Sequence, residues 1–198
     1  MSAITASDVK ALRDRTGAGM MACKNALAEA DGDFDRAVEL LRARGEAQAA
    51  KRAGNDATEG TVQTYVHSNG KIGVLVEVDC ETDFVAKNDA FVGFARDLAL
   101  HIAAAAPLAV SDADVPAEDR ETEVRVATEK AADKPENVRE KIVEGSVNKW
   151  LDGVVLLRQK HVNEDKYKGA AIEEIRAKLA ADTGENVVIR RFARFQIG

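Results

Sequence analysis

The sequence predicts an α+β protein in which an N-terminal unit of three helices precedes a core of three antiparallel strands packed with helices. In residues 1–54, apolar residues recur at helical spacing between glycine-containing turns. Further along, two β-rich runs flank the pair Asn69-Gly70, a strong hairpin signal. A third β-rich run, residues 186–198, can complete the sheet.

The composition fits a globular protein of one or two small domains. Of 198 residues, 45% are hydrophobic, which is enough for a packed core. The formal net charge is −6, whereas proteins that bind nucleic acid usually carry a basic surplus, so direct nucleic-acid binding is not expected. The two cysteines lie far apart, and neither a signal peptide nor a membrane span is visible, so we expect a cytoplasmic protein.

The N-terminal helices are predicted in order along the chain. The first ends near Thr16, the second covers about residues 20–30, and the third covers about residues 34–43. Alanines can extend the third helix as far as a linker at residues 54–56. Three short helices bury only a small core, so this unit is more typical of a binding module than of an enclosed active site.

The loop between the first two helices is the part of this unit most relevant to binding. Gly17 and Gly19 follow Thr16 and can end the first helix. Two interpretations of the next residues stay open. Met20 and Met21 pack inside, or one of them is exposed, since methionine is adaptable and often lines surfaces that bind partners.

The second part of the chain begins with the hairpin, predicted as strands over residues 61–67 and 71–80. Alternation in the second strand gives one core face, formed by Ile72, Val74, Val76, Val78 and Cys80. The following helix carries apolar residues at helical spacing, namely Phe91, Phe94 or Ala95, Leu98 and Ile102, and ends before Pro107.

The remainder is predicted to be helical up to the last strand. The acidic segment 111–145 forms two helices that start near Pro116 and Pro135, with its charges on a solvated face. A helix containing Trp150 continues to about Lys160, and another spans residues 170–181. In the final strand the alternating residues are assigned to the core face: Val187, Ile189, Ala193, Phe195 and Ile197.

Most motifs of catalysis are missing from the sequence. It contains no P-loop, no HExxH, no EF-hand and no cysteine–histidine spacing typical of a metal site. No metal or cofactor is therefore expected. Arg190, Arg191 and Arg194 form a basic stretch that could contact RNA. Strand spacing divides these side chains between two faces, which argues against such a contact. An enzyme that uses Cys80 or His101 stays an alternative, although Cys80 lies on a core face and a reactive cysteine needs exposure.

The stretch CETDFVAKND, residues 80–89, stands where a strand meets a helix. From the residues alone, two interpretations are open for this junction. In one, Phe84 packs inside and Asp83 caps the helix. In the other, Phe84 is exposed and offered to a partner. An exposed aromatic side chain beside an acid would suit a wedge that is inserted into another protein.

Several motifs together resemble one family. TGAGMMACKNALAEADGD, AAKRAGNDATEG, VEVDCETDFVAKND, LALHIAAA, KIVEGSVNKW and ENVVIRRFARFQIG occur in the order found in elongation factor Ts. The resemblance covers nearly the whole chain, and the length matches the short form of that family. One departure lies in residues 157–165, where Lys160 and His161 stand in place of a proline and an aromatic residue.

The resemblance implies a nucleotide exchange factor for the GTPase elongation factor Tu, with no bond chemistry of its own. It implies that the factor binds the GDP-bound and nucleotide-free partner, and that residues 82–85 dislodge the partner's Mg²⁺; these residues are Thr82, Asp83, Phe84 and Val85. It further implies a ubiquitin-associated-like domain in residues 1–54 and an exchange core of the dimerisation type in residues 55–198.

Partner contacts are expected at two places. One is the loop between the first two helices together with the adjoining helix ends, with Leu12, Thr16, Gly17, Gly19, Met20 and Met21. The other is the helix after the hairpin, with His101. Some short members of the family pair, so a homodimer in a complex with two copies of the GTPase stays open. The rival interpretation to an exchange factor is a ubiquitin-associated-like adaptor whose second domain binds an unrelated protein.

Overall fold

The computed structural model describes residues 4–16, 18–52 and 54–198, without the side chains of residues 46–51. Within these residues the α+β class is confirmed. The helices are α1 (Ala6–Thr16), α2 (Met20–Glu29), α3 (Phe34–Arg52), α4 (Asp83–Ala86), α5 (Asp89–Ala105), α6 (Ala117–Lys130), α7 (Glu136–Val154), α8 (Glu164–Tyr167) and α9 (Ile172–Thr183). The strands are β1 (Glu59–Val66), β2 (Ile72–Cys80) and β3 (Val188–Gln196).

The three N-terminal helices enclose a hydrophobic cluster of their own. Thr5 begins α1: its hydroxyl accepts the Asp8 N–H at 3.2 Å, and the Asp8 carboxylate accepts the Thr5 N–H at 2.9 Å. The buried members of the cluster are Val9, Leu12, Cys23, Ala26, Leu27, Ala30 and Ala37. Helix α3 continues beyond this cluster and packs against α9.

The sheet has the order β1-β2-β3 with both pairs antiparallel, as the hairpin signal predicts. Gly70 closes the hairpin turn with a φ of 68°, which a residue with a Cβ adopts only with strain. One face of β2 packs on α5 and forms the main core, including Val74, Val76, Val78, Cys80, Phe91, Phe94, Ala95, Leu98 and Ile102. The predicted core faces of β2 and α5 are therefore confirmed.

The predicted continuation of the core face of β3 through Ala193, Phe195 and Ile197 is wrong. A register shift opposite the middle of β2 leaves Arg190 as an extra residue in β3. Because side chains alternate along a strand, this bulge exchanges the two faces for the second half of β3. Phe192 then packs against the core, whereas Phe195 is 70% exposed.

Helices α6 and α7 form a hairpin with a separate small core around Leu151. Pro116 and Pro135 stand at their N-caps, as predicted. The prediction that α7 continues to Lys160 is wrong, because the chain becomes extended at Val155 and buries that residue. Among the described residues, no helix combines the length and apolar character needed to cross a membrane.

Candidate functional site

Helix α4 is a single turn that joins the end of β2 to α5. Thr82 is its N-cap, and the Thr82 hydroxyl accepts the Val85 N–H at 3.5 Å. Val85 and Ala86 pack against the main core, which fixes one face of this turn. The interpretation in which Asp83 caps the helix is therefore wrong, since Thr82 has that role.

Phe84 lies on the opposite face of α4, with 83% of its surface exposed. Helix geometry explains this placement, because successive residues of a helix point about 100° apart. Phe84 therefore points away from the side on which Val85 and Ala86 pack. An exposed phenylalanine on a fixed turn does not stabilise its own core. It leaves an apolar surface open to solvent, available for contact with another molecule.

Asp83 stands next to Phe84 and forms an ion pair with Lys87, one turn later, at 2.6 Å. The Asp83 hydrogen bond is the main cause that raises the pKa of Lys87. Both side chains are substantially exposed, and ion pairs in such positions contribute little stability. The Asp83 carboxylate can therefore leave Lys87 for a cation or a donor in a partner.

The N-terminal loop presents a second exposed apolar surface. Gly19 is exposed and precedes α2 as its N-cap, and Gly17 lies outside the described residues. Met20 and Met21 are 47% and 66% exposed. The interpretation in which both pack inside is therefore wrong, and two methionines are exposed where the alternative predicted one. Thr16 is half-buried beneath the loop.

Leu12, one of the residues predicted to contact a partner, does not reach the surface of the N-terminal unit. Its side chain is fully buried between the N-terminal helices. The Thr16 hydroxyl donates to the Leu12 carbonyl oxygen at 2.8 Å and lies 3.9 Å from the Cys23 sulfur. Leu12 therefore supports the loop from inside.

His101 also points inward, so a direct partner contact by its side chain is not available in this structure. Its Nδ1 accepts the Val162 N–H at 3.2 Å, and its Nε2 lies 2.9 Å from Oε1 of Gln159. Since Nδ1 is an acceptor, Nε2 carries the hydrogen in the neutral ring. The role shown for His101 is to hold the segment after α7 against α5.

A second buried histidine completes this arrangement. The His161 ring lies 5.2 Å from that of His101 and 4.3 Å from that of Tyr167. Burial lowers the pKa of both histidines. The Tyr167 hydroxyl donates to Asp97 at 2.6 Å. His161, one of the two residues that depart from the family pattern, is therefore part of the core.

The cysteine considered for enzyme chemistry and the arginines of the basic stretch are engaged in the fold. Cys80 is fully buried, and burial raises the pKa of its thiol to about 11. Arg190 donates to Asp79 at 2.7 Å, Arg191 donates to Glu77 at 2.5 Å, and Arg194 donates to a main-chain carbonyl at the end of α5. In the part of the chain that the structure describes, no group of three or more acidic, histidine or cysteine side chains is placed to hold a metal.

Comparison with known proteins identifies the family. A family model described as elongation factor TS matches residues 16–168. This range includes the loop at residues 16–21 with its two exposed methionines, called here the methionine loop, as well as residues 82–85 and His101. The elongation factor Ts of Desulfotalea psychrophila is 52% identical over 199 residues, which cover 99% of this chain and 99% of that protein. This chain belongs to the elongation factor Ts family.

Other members of the elongation factor Ts family match over similar lengths. That of Geobacter sulfurreducens is 50% identical over 198 residues, 98% of this chain and 90% of the relative. That of Carboxydothermus hydrogenoformans is 51% identical over 197 residues, 98% of this chain and 89% of the relative. The predicted family is confirmed, and the chain is a translation elongation factor.

Proposed function

We propose that this chain is a guanine nucleotide exchange factor that binds elongation factor Tu in its GDP-bound and nucleotide-free forms. The observation that carries the proposal is Phe84, which is exposed on one face of α4 while the other face is anchored in the core. Such a side chain can enter an apolar gap beside a nucleotide site and displace a neighbouring element of the GTPase. The chain then acts by binding alone, in the cytoplasm where translation takes place.

The energetic requirement is a difference in affinity between two states of the partner. A factor that binds the nucleotide-free GTPase more tightly than its GDP form weakens GDP binding by the same ratio. Burial of a phenylalanine side chain contributes about 2–3 kcal/mol, and this corresponds to roughly a hundredfold change in an equilibrium constant. Phe84 alone therefore supplies a substantial share of a useful exchange effect.

The test is the release of labelled GDP from elongation factor Tu with and without this chain. We expect the wild-type chain to accelerate release and Phe84→Ala to lose most of that acceleration. Leu108→Ala is the matched control, because Leu108 is another exposed apolar residue that lies outside α4. If the wild-type chain does not accelerate GDP release, the proposal is refuted. If Phe84→Ala and Leu108→Ala lose the same share of the acceleration, Phe84 has no role beyond that of another exposed apolar residue.

Asp83 is proposed to act on the Mg²⁺ that accompanies GDP in the GTPase. That ion needs a nearly ideal octahedral shell of oxygen ligands, so a carboxylate brought close to it disturbs the shell. Asp83→Asn keeps the size of the side chain and removes its charge. We expect this variant to slow GDP release more in Mg²⁺ than in excess chelator. The same reduction in both conditions would show that Asp83 acts through binding or local structure.

The methionine loop is proposed to dock the ubiquitin-associated-like unit, residues 1–54, on the GTPase while residues 55–198 perform exchange. Met20 and Met21 offer an adaptable apolar surface for this contact. We expect a variant with serine at both positions to bind elongation factor Tu more weakly in calorimetry. Val124→Ser, on the exposed side of α6, should leave the affinity unchanged. Unchanged affinity of the double variant would favour docking through another surface.

We also propose that two copies pair through the outer face of the sheet, as a complex with two GTPases would require. This face carries exposed apolar side chains from all three strands around the Glu77–Arg191 ion pair, namely Val62, Val66, Leu75 and Phe195, and Ile197 follows directly after β3. An apolar sheet face of this kind usually marks an interaction surface. Leu75→Glu should shift the mass in sedimentation equilibrium toward the monomer. A monomeric wild-type chain at high concentration would refute pairing.

A further inference from the structure

Two glutamate side chains at the same end of the sheet, one just after β2 and one just before β3, hold the turn that leads into α4. Glu185, which follows α9, accepts the N–H groups of Glu81 and Thr82 at 3.0 Å each, and the Thr82 hydroxyl at 2.5 Å. Glu81 in turn accepts the Asn186 N–H at 2.6 Å and the side-chain amide of Asn55 at 3.0 Å. We call Glu81 and Glu185 the carboxylate clamp.

The local structure around α9 delivers Glu185 to this position. Helix α9 ends at Gly184, whose φ of 77° reverses the chain direction without the strain that a Cβ would add. The next residue then reaches the end of β2. The hydrogen bonds from Asn186 and Asn55 lower the pKa of Glu81. The bonds that Glu81 accepts are therefore charge-assisted, and such bonds are stronger than bonds between neutral groups.

Helix α4 depends on such support because four residues are far too few for a helix that stands alone. The Thr82 hydroxyl connects the clamp to this helix. It donates its hydrogen to Glu185 and has lone pairs left to accept the Val85 N–H, which starts the first turn. Glu185 thus orients the group that caps α4, and α4 carries Phe84.

We propose that Glu185 is a positioning residue for nucleotide exchange, acting through Thr82 on the placement of Phe84. This inference rests on the proposed exchange function and adds the residue that fixes its geometry. Removal of the Glu185 carboxylate leaves Phe84 present but frees the first turn of α4. Misplacement of a functional group by about 1 Å can cost on the order of a hundredfold in rate.

The test is a double-mutant cycle on the GDP release rate at saturating concentrations of this chain. We expect Glu185→Ala to lower the rate by about tenfold or more. If Glu185 acts through Phe84, the double variant is expected within about twofold of Phe84→Ala alone, since coupled sites are not additive. Asp182→Ala is the matched control. Asp182 is an acid on α9 that pairs with Lys178 at 3.2 Å, away from the clamp.

Amide hydrogen exchange on the free chain gives a readout that does not depend on the GTPase. We expect residues 82–86 to exchange faster in Glu185→Ala than in wild type, and at the wild-type rate in Asp182→Ala. If Glu185→Ala does not fold, Glu185→Gln takes its place in both measurements, because it keeps the size and one acceptor oxygen. The expected losses are then smaller but remain coupled to Phe84.

The outcomes separate this inference from the proposed function. Losses in Glu185 and Phe84 variants that multiply in the double variant would overturn the inference while leaving exchange by Phe84 intact. Wild-type GDP release in both Glu185 variants would overturn it as well. Absence of acceleration by the wild-type chain would overturn the proposed function and this inference together.

Discussion

Two phenylalanines seven residues apart should respond in opposite ways to truncation. Phe84 is 83% exposed on α4, whereas Phe91 is fully buried between α5 and the sheet. Phe91→Ala removes a ring from a close-packed core, and such changes typically cost about 3–5 kcal/mol. Phe84→Ala removes a ring with only about a sixth of its surface in contact with the protein. At about 2–3 kcal/mol for full burial, the cost is about 0.5 kcal/mol.

Thermal unfolding followed by circular dichroism resolves this difference. For a chain of this length, 1 kcal/mol corresponds to about 2–4 °C in Tm. By the same relation, Phe91→Ala is expected to lower Tm by about 6–20 °C, and Phe84→Ala by no more than about 2 °C. The same samples are then assayed for GDP release from elongation factor Tu. There Phe84→Ala is expected to lose about 30- to 150-fold, the equivalent of 2–3 kcal/mol of partner burial.

The result that would refute this reasoning is a large fall in Tm for Phe84→Ala with GDP release unchanged. That outcome would place the ring in the core of the folded protein in solution. A large fall in both quantities would indicate that Phe84 stabilises α4 itself, so that loss of exchange follows from local unfolding. Only unchanged stability with lost exchange supports a side chain that acts on the partner.

Three further predictions concern the stability of the fold and the accessibility of its interior. His101 and His161 have pKa values lowered by burial, so the unfolded state binds protons more tightly near and below pH 6.5. The contribution of the two neutral histidines to the free energy of unfolding, measured with urea, should therefore be fully present above pH 6.5 and be lost as the pH falls below it. A free energy of unfolding that stays constant down to about pH 5 would contradict this. Gly60→Ala should cost about 1–3 kcal/mol, because its Cβ would overlap the carbonyl oxygen of the paired strand. Gly73→Ala is the control, because Gly73 has open space around it. Equal free energies of unfolding for the two variants would show that the overlap at Gly60 costs nothing. Cys80, with its pKa raised to about 11, should react with thiol reagents only after unfolding, and rapid reaction of the native chain would show that the site opens.

The elements that sequence patterns predict well are those whose signal is local. The turn at Asn69-Gly70 and the strict alternation of β2 specify the hairpin and its core face, and prolines mark the starts of α6 and α7. The bulge at Arg190 was not predictable from the pattern of β3. One inserted residue reverses all later side chains, and the pattern before and after it looks continuous. Its compensation, the ion pair of Arg190 with Asp79, joins residues 111 positions apart.

In the candidate site, too, the features with a local sequence signal could be predicted and those that depend on distant contacts could not. The exposure of Phe84 and of the methionine loop was among the interpretations that the sequence left open, because a junction and a glycine-rich loop are visible locally. The burial of Leu12 and His101 depends on helix packing, and apolar spacing alone does not tell an inward residue from a docking residue. Glu185 was missed altogether, since its partners Glu81 and Thr82 lie more than 100 residues earlier in the chain.

The position of Phe84 shows how a fold this small presents an aromatic ring without losing stability. The ring sits on a single helical turn, and that turn receives its stability from Val85 and Ala86 on the core side and from Thr82 at its N-cap. The energy that keeps the turn in place therefore comes from the core and from the hydrogen bonds to Glu185, independently of the exposed ring. For the proposed exchange function it follows that the surface at Phe84 can be fitted to a partner while the core is left unchanged, and that a change in the core would alter the contact of Phe84 by moving α4.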